Sequence, residues 1–206
     1  MVADRASSES SDVTAEQLQH LVERVASKQR FGHVILGVER GDGSFGWRGG
    51  AGVANADGAP VTPETPFFLA SVTKLYIAAV VLQLHEEGSI DLDAPISGYL
   101  GHERIAGLHR LGGVDHTSEI TVFHLLSHTS GLGDYLEDRS DGGRSLYEQI
   151  ADGNDLSWTF DDVVRISRDR LRHHFPPQDP TFGRRKGRYS DTGFQLLIAI
   201  IEQAVA

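Results

Sequence analysis

The chain of 206 residues contains no cysteine. Disulfide bonds, thiolate metal sites and thiol nucleophiles are therefore excluded. Basic residues are also in the minority, because 19 lysines and arginines stand against 29 aspartates and glutamates, which gives a formal net charge of −10. Binding to a nucleic-acid backbone needs a basic surface, so the composition argues against nucleic acid as the main partner.

Long apolar segments are missing as well. The longest apolar runs, residues 75–84 and 194–206, are too short or too interrupted to span a bilayer. The first dozen residues are polar without an apolar core, so they form neither a signal peptide nor an anchor. We expect residues 1–12 to form a disordered tail. We expect no membrane partner and, by default, a cytoplasmic location. Export stays open if a signal was removed before residue 1.

The N-terminal part of the chain predicts one helix and one hairpin. A capping box beginning at Thr14 precedes apolar residues at helical spacing, which predicts an amphipathic helix over residues 13–29. Residues 33–40 and 44–54 flank the turn tripeptide Gly41-Asp42-Gly43 and are predicted to form a β-hairpin. Glycines in the second strand indicate a bulge or close packing under another element. A two-stranded hairpin is marginal alone, so self-association through its exposed strand edges is expected.

The rest of the chain is predicted to be helices and loops. Helical patterns run over residues 68–87, 121–128, 160–171 and 192–206. Residues 133–157 are polar and glycine-rich, and we expect them to form a surface excursion.

A serine and a lysine lie three residues apart at the start of the first of these helices, which is apolar and predicted to be buried. Residues at this spacing share a helix face, so Ser71 and Lys74 are expected to point together. Apolar neighbours make a lysine easier to deprotonate, and such a lysine can activate a hydroxyl without a histidine. The pair alone is weak support, because many helices carry lysine on a solvated face. Lys74 is, however, one of only three lysines.

A second hydroxyl stands at the start of the last apolar helix. Tyr189-Ser190-Asp191 follows a loop and opens this helix, which places a phenol and a polar side chain at a helix start. Such a hydroxyl is the kind of proton-transfer partner that a Ser/Lys pair needs.

Four ordered segments, covering the chain from about residue 15 to its end, resemble the serine β-lactamase and penicillin-binding-protein superfamily, in its class C β-lactamase, DD-peptidase and esterase branch. The segments are Ser71-Val72-Thr73-Lys74, residues 88–95, residues 120–132 and Tyr189-Ser190-Asp191. The resemblance implies an α+β, β-lactamase-like fold that is truncated. Residues 13–62 would be the N-terminal helix and hairpin of the sheet domain, residues 63–206 the mostly helical domain, and the later strands would be missing.

The resemblance also implies roles for single residues. Ser71 would attack an acyl carbon of an amide, lactam or ester in a small-molecule or peptide substrate, and Lys74 with Tyr189 would move its proton. No cofactor is implied. Asp191 matches a position assigned to substrate binding, where Asn is commoner. A carboxylate there favours the ammonium form of Lys74 and shifts general-base duty towards Tyr189.

One motif of this family is absent from the sequence, namely a Lys or His followed by Ser/Thr-Gly on a later strand. That strand would supply one of two oxyanion-hole donors, and loss of such a donor costs on the order of 10²- to 10³-fold in turnover. The resemblance therefore implies that the chain is the N-terminal portion of a longer fold that stops at Ala206, with weak or absent turnover.

Two further interpretations stay open at this level. A non-catalytic binding or interaction module could retain the helical region of the same family. His124 and His128 are four residues apart and could face a metal together, although the resemblance explains this segment structurally. No serine lies in a Gly-x-Ser-x-Gly elbow, which argues against an α/β-hydrolase.

Overall fold

The computed structural model describes residues 14–28, 30–139, 143–179, 181 and 186–206. The tail expected over residues 1–12 lies outside these ranges. The chain divides into two compact units, with the boundary between Phe68 and Leu69. Helices and a few short strands make up the described residues, so the α+β prediction is confirmed.

The first unit packs one helix on a two-stranded antiparallel sheet. Helix α1 (Ala15–Ala26) begins after Thr14, whose side chain accepts a hydrogen bond from a backbone N–H in the capping box that the sequence predicts. Strands β1 (His33–Glu39) and β2 (Gly46–Gly52) pair along their whole length. The helix and the hairpin are therefore confirmed, each a few residues shorter than expected.

The glycines of β2 allow α1 to approach the sheet closely. A Cβ atom added to Gly49 would lie 2.7 Å from Oε1 of Gln19 and still nearer to the Trp47 ring. The amide of Gln19 donates to the carbonyl of Gly50 at 3.3 Å. Close packing under another element, as the sequence predicts, is therefore the reason for glycine here.

The second unit is mostly helical. Its elements are a 3₁₀ turn Ala70–Val72, helices α2 (Thr73–Glu86) and α3 (Ser97–Leu100), strands β3 (Arg110–Leu111) and β4 (Val114–Asp115), a 3₁₀ turn Thr117–Glu119, and helices α4 (Val122–Leu126), α5 (Leu146–Ala151), α6 (Phe160–Arg170) and α7 (Asp191–Ala204). Four of these helices correspond to the four predicted helical segments.

Helix α7 is the central element of the second unit, because it packs against α2, α3, α4 and α6. Leu196, Leu197 and Ile200 on α7 are fully buried in one apolar core. Each large apolar side chain that is buried in this way stabilises the fold by about 1.5–3 kcal/mol. Helix α7 is thus held in the core, and the sequence motif around Tyr189 lies at its N-terminal end.

Helix α2 departs from the predicted buried helix. Only Val81 and Leu84 of this helix are buried, whereas Leu75 and Tyr76 are 72% and 63% exposed. An apolar sequence indicates that a helix can be covered, but it does not indicate which segment covers it. The helix also begins at Thr73 rather than near Phe68.

In the part of the chain that the structure describes, no helix combines the length and the apolar character that crossing a bilayer requires.

Candidate active site

Ser71 lies in the 3₁₀ turn directly before α2, and not within the first turn of the α-helix as expected. The preceding residue, Ala70, has a φ of 47°. A non-glycine residue in this left-handed region costs roughly 1–2 kcal/mol. The turn still leaves Lys74 on the side of Ser71, and its Nζ donates to Ser71 Oγ at 3.5 Å. The shared face that the spacing predicts is therefore present, in a tighter turn.

Tyr189 contacts Ser71, although 118 positions separate the two residues in the sequence. The phenol oxygen lies 2.6 Å from Ser71 Oγ, and either hydroxyl can be the donor. The Nζ of Lys74 lies 4.8 Å from the centre of the Tyr189 ring. The structure thus brings together the three residues that the sequence analysis assigns to nucleophilic attack and proton transfer.

Asp191 forms an ion pair and hydrogen bond with Lys74. Both side chains are largely buried, with 14% and 15% of their surfaces exposed. Burial lowers the pKa of Lys74, but the hydrogen bonds and charges of Asp191 and Tyr189 outweigh it, so the net pKa is raised. Apolar surroundings alone would make this lysine easier to deprotonate, but the Asp191 carboxylate favours its ammonium form.

A buried carboxylate that the sequence analysis missed anchors the start of α7. Oδ2 of Asp134 accepts the backbone N–H of Asp191 at 2.8 Å, and Oδ1 accepts two further N–H groups within its own turn. Burial is the main cause that raises the pKa of Asp134, and the charge of Asp191 adds to it. No sequence signal marked this residue, because its partner lies 57 positions away.

The segment around Asp134 was predicted to be a surface excursion, and this is wrong for its first residues. Gly133, Asp134 and Tyr135 are buried. The Tyr135 N–H donates to Thr192 Oγ1 at 3.0 Å, and the same hydroxyl donates to the Gly133 carbonyl at 2.8 Å. The Tyr135 ring also meets the edge of Trp158, with ring centres 5.4 Å apart. Thr192 therefore ties this segment to the start of α7.

Gly131 has a packing reason in the same segment. Its φ is 76°, and an added Cβ would lie 1.8 Å from the carbonyl oxygen of Phe175. The carbonyl of Gly131 accepts the N–H of His174 at 2.9 Å. Any side chain at residue 131 would therefore collide with the backbone of Phe175 and separate these two segments of the chain.

Both ring nitrogens of His124 are engaged in contacts with the backbone. Nδ1 accepts the backbone N–H of Thr121 at 3.0 Å within a capping box, and Nε2 lies 2.7 Å from the Gln178 carbonyl. Within the described ranges no three His, Asp or Glu side chains are grouped as metal ligands. The pair His124 and His128 therefore has a structural explanation, and the segment before Tyr189 is held by His124.

The sequence model of the family described as "Beta-lactamase" matches residues 18–205. The chain belongs to the β-lactamase family. Among curated relatives, Esterase EstB of Burkholderia gladioli is 35% identical over 145 residues, which is 69% of this chain and 35% of that protein. Penicillin-binding protein 4* of Bacillus subtilis (strain 168) is 27% identical over 193 residues, covering 92% of this chain and 36% of that protein.

Solved structures agree with this family assignment. A D-stereospecific amidohydrolase from Streptomyces has a TM-score of 0.63 at 27% identity, covering 93% of this chain and 50% of its own. EstCE1, described as a hydrolase with promiscuous acyltransferase activity, has a TM-score of 0.69 at 25% identity, covering 93% of this chain and 47% of its own. The chain spans about a third of the length of these two curated relatives and about half of the solved chains. The fold is β-lactamase-like, as the sequence predicts, and the chain corresponds to part of these proteins.

Proposed function

We propose that the chain is a serine hydrolase that acts through an acyl-enzyme on Ser71. The observation that carries this proposal is the 2.6 Å contact between Ser71 Oγ and the Tyr189 phenol, next to the Lys74–Asp191 ion pair. A nucleophile within hydrogen-bond reach of a base that a third group orients is the arrangement that covalent catalysis uses.

In the first step Ser71 Oγ bonds to the acyl carbon, and the carbonyl electron pair moves to oxygen. Tyr189, as tyrosinate, takes the Ser71 proton. The ion pair with Asp191 and the raised pKa of Lys74 favour its ammonium form, so we assign this proton transfer to Tyr189 rather than to Lys74. The ammonium instead stabilises the tyrosinate electrostatically across the short distance between them.

In the second step the carbonyl re-forms and expels the amine or alkoxide, which receives the proton from Tyr189. A water molecule then attacks the acyl carbon and gives a proton to the same phenolate. The bond between the acyl carbon and Ser71 Oγ breaks, and Tyr189 returns the proton to Ser71 Oγ as the carboxylic acid leaves. We propose that Asp191, at the position assigned to substrate binding, acts by holding the ammonium of Lys74, since its carboxylate is already in contact with that group.

The substrates that we propose are small molecules or peptides with an ester, amide or lactam carbonyl. The names of the relatives, an esterase, a penicillin-binding protein and a D-stereospecific amidohydrolase, support this range. Because the chain has no Lys/His-Ser/Thr-Gly motif, we expect acylation of Ser71 with weak turnover.

Labelling of the 206-residue chain tests the proposal. The protein is incubated with a fluorophosphonate and with a fluorescent penicillin, and the adduct is mapped by peptide mass spectrometry. We expect labelling at Ser71, loss of labelling in Ser71→Ala, and unchanged labelling in Ser89→Ala, which alters an exposed serine. Absence of an adduct at Ser71 with either probe would contradict the proposal.

A second candidate is a non-catalytic interaction module of the same family. The exposed apolar side chains of α2 favour it, because such faces mark interaction sites. Size-exclusion chromatography with light scattering distinguishes the two. A stable oligomer without acylation supports the module, and a labelled monomer contradicts it.

A further inference from the structure

His128 lies at the end of the α4 segment, two residues beyond the helix. Its φ is 55°, so it is one of two non-glycine residues with a left-handed backbone among those described. The other is Ala70, next to Ser71. Such conformations persist only where surrounding contacts enforce them, and they cluster at functional sites.

His128 holds the chain on both sides of Tyr189. Its carbonyl oxygen accepts the N–H of Arg188 at 2.9 Å, and its Nδ1 accepts the N–H of Ser190 at 3.1 Å. One residue therefore fixes the backbone immediately before and immediately after the tyrosine.

The imidazole also packs on the phenol ring itself. The centres of the His128 and Tyr189 rings are 4.8 Å apart, with a tilt of 31°. The centre of the His128 ring also lies 5.1 Å from the centre of the Phe194 ring, on α7. The ring of His128 thus contacts both the tyrosine and α7, and packing against it restricts rotation of the phenol.

These contacts require the neutral imidazole. Because Nδ1 accepts a hydrogen bond from an N–H group, the proton of the neutral ring is on Nε2. Burial lowers the pKa of His128, and the charge of Lys74 lowers it further, whereas the charge of Asp191 acts in the opposite direction. Protonation would place a second donor against the Ser190 N–H and break the hydrogen bond.

We infer that His128 is a positioning residue that holds Tyr189 in reach of Ser71, in its neutral Nε2–H form. This inference rests on the proposed function, in which Tyr189 takes the Ser71 proton. His128 touches no reacting atom and acts only through the tyrosine.

The kinetic test uses acylation rates of the full chain with the fluorophosphonate. His128→Phe keeps an aromatic ring and removes the acceptor, and we expect a loss of about tenfold or more, because small misplacements of reacting groups cost up to about 10². His128→Asn keeps an acceptor and tolerates a positive φ, so it should lose less. His102→Asn, at an exposed histidine, is the matched control and should be unchanged.

A double-mutant cycle separates positioning from loss of structure. In a Tyr189→Phe background, His128→Phe should cause little further loss, because the group that it positions is already absent. Equal losses with and without the tyrosine hydroxyl would overturn the inference. The acylation rate should also depend differently on pH, on the acid side of the profile, in His128→Asn than in the wild type. An identical acid side in both proteins would contradict the inference.

Nitrogen NMR of the imidazole provides a readout that does not need reactive Ser71. We expect an unprotonated Nδ1 and a protonated Nε2 at pH 7, with cross-relaxation between the His128 and Tyr189 rings. The opposite tautomer, or no contact between the rings, would overturn the inference. If Ser71 is not labelled while the NMR result is as expected, the proposed function fails and the positioning of Tyr189 by His128 stands.

Discussion

The carboxylate of Asp191 contacts the ammonium of Lys74 although 117 positions separate the two residues in the chain. Asp191 is also the first residue of α7, where a negative charge is favoured by the helix dipole. One side chain thus stabilises a helix start and favours the ammonium form of the lysine. We propose that this contact makes Tyr189, and not Lys74, the general base.

Asp191→Asn should lower the pKa of Lys74. With the carboxylate removed, burial becomes the dominant influence on the ammonium and disfavours it. The measurement is pH-dependent acetylation of Lys74, which is unambiguous because only three lysines are present. Asp155→Asn, an exposed carboxylate, is the control and should leave the Lys74 titration unchanged. A titration that stays the same in Asp191→Asn would show that the ion pair does not set the pKa.

Tyr189→Phe should slow acylation of Ser71 by about 10²- to 10⁴-fold, the usual contribution of a general base. The variant keeps the ring that packs on His128 and removes only the oxygen near Ser71. Stopped-flow or quenched labelling with the fluorophosphonate measures the rate. Tyr147→Phe removes an exposed phenol and is expected to react like the wild type. A Tyr189→Phe rate within twofold of wild type would assign the base to another group.

Asp134→Ala should destabilise the helical unit by about 3 kcal/mol, because one backbone N–H at the start of α7 and two in the turn of Asp134 lose their acceptor. The affected donors are Asp191, Leu136 and Glu137, at 2.8, 2.8 and 3.0 Å. Urea unfolding followed by circular dichroism gives the free energy of unfolding. Asp155→Ala serves as the control with an expected change near zero. A midpoint for Asp134→Ala equal to that of the control would mean that water replaces the carboxylate without loss.

His173 should make the fold less stable in mild acid. Burial first, and then the charges of His109 and His174, lower its folded pKa from 6.5 to about 4. Between these values the unfolded chain binds a proton that the folded chain does not. The contribution of neutral His173 to the free energy of unfolding is therefore fully present above pH 6.5. It is lost as the pH falls towards 4, and the total loss is at most about 3 kcal/mol.

Comparison with His173→Asn isolates this effect. The Asn oxygen can replace Nδ1 as acceptor of the Gly133 N–H, which is 3.2 Å from Nδ1 in the wild type. Free energies of unfolding at pH 7 and pH 5 should differ less in this variant than in the wild type or in His102→Asn. An equal pH dependence in all three proteins would exclude His173 as the cause.

Local patterns sufficed to predict much of the fold. The capping boxes at Thr14 and Thr121 and the hairpin turn act over a few residues, so their structures follow from sequence. The meeting of Ser71 with Tyr189 could be expected only from the resemblance to a family. The sequence pattern itself shows which residues share a helix face, not which helices meet.

The remaining features depend on distant partners. Asp134 is one of many aspartates in a polar stretch, and only folding places it under Asp191. The role of His128 could not be predicted for the same reason. Its two acceptor atoms bind the N–H groups of Arg188 and Ser190, which are distant in the sequence. The prediction that α2 is buried was wrong for a related reason. An apolar sequence does not indicate which other segment, if any, covers the helix.

The edge contact between Tyr135 and Trp158 makes the site optically visible. Trp158 and Trp47 are the two tryptophans, and Trp47 belongs to the hairpin unit. A Trp47→Phe protein therefore emits from a single indole whose ring partner adjoins Asp134 in the chain. Fluorescence of that protein would follow the segment that anchors α7 in real time, without an added dye and without a substrate.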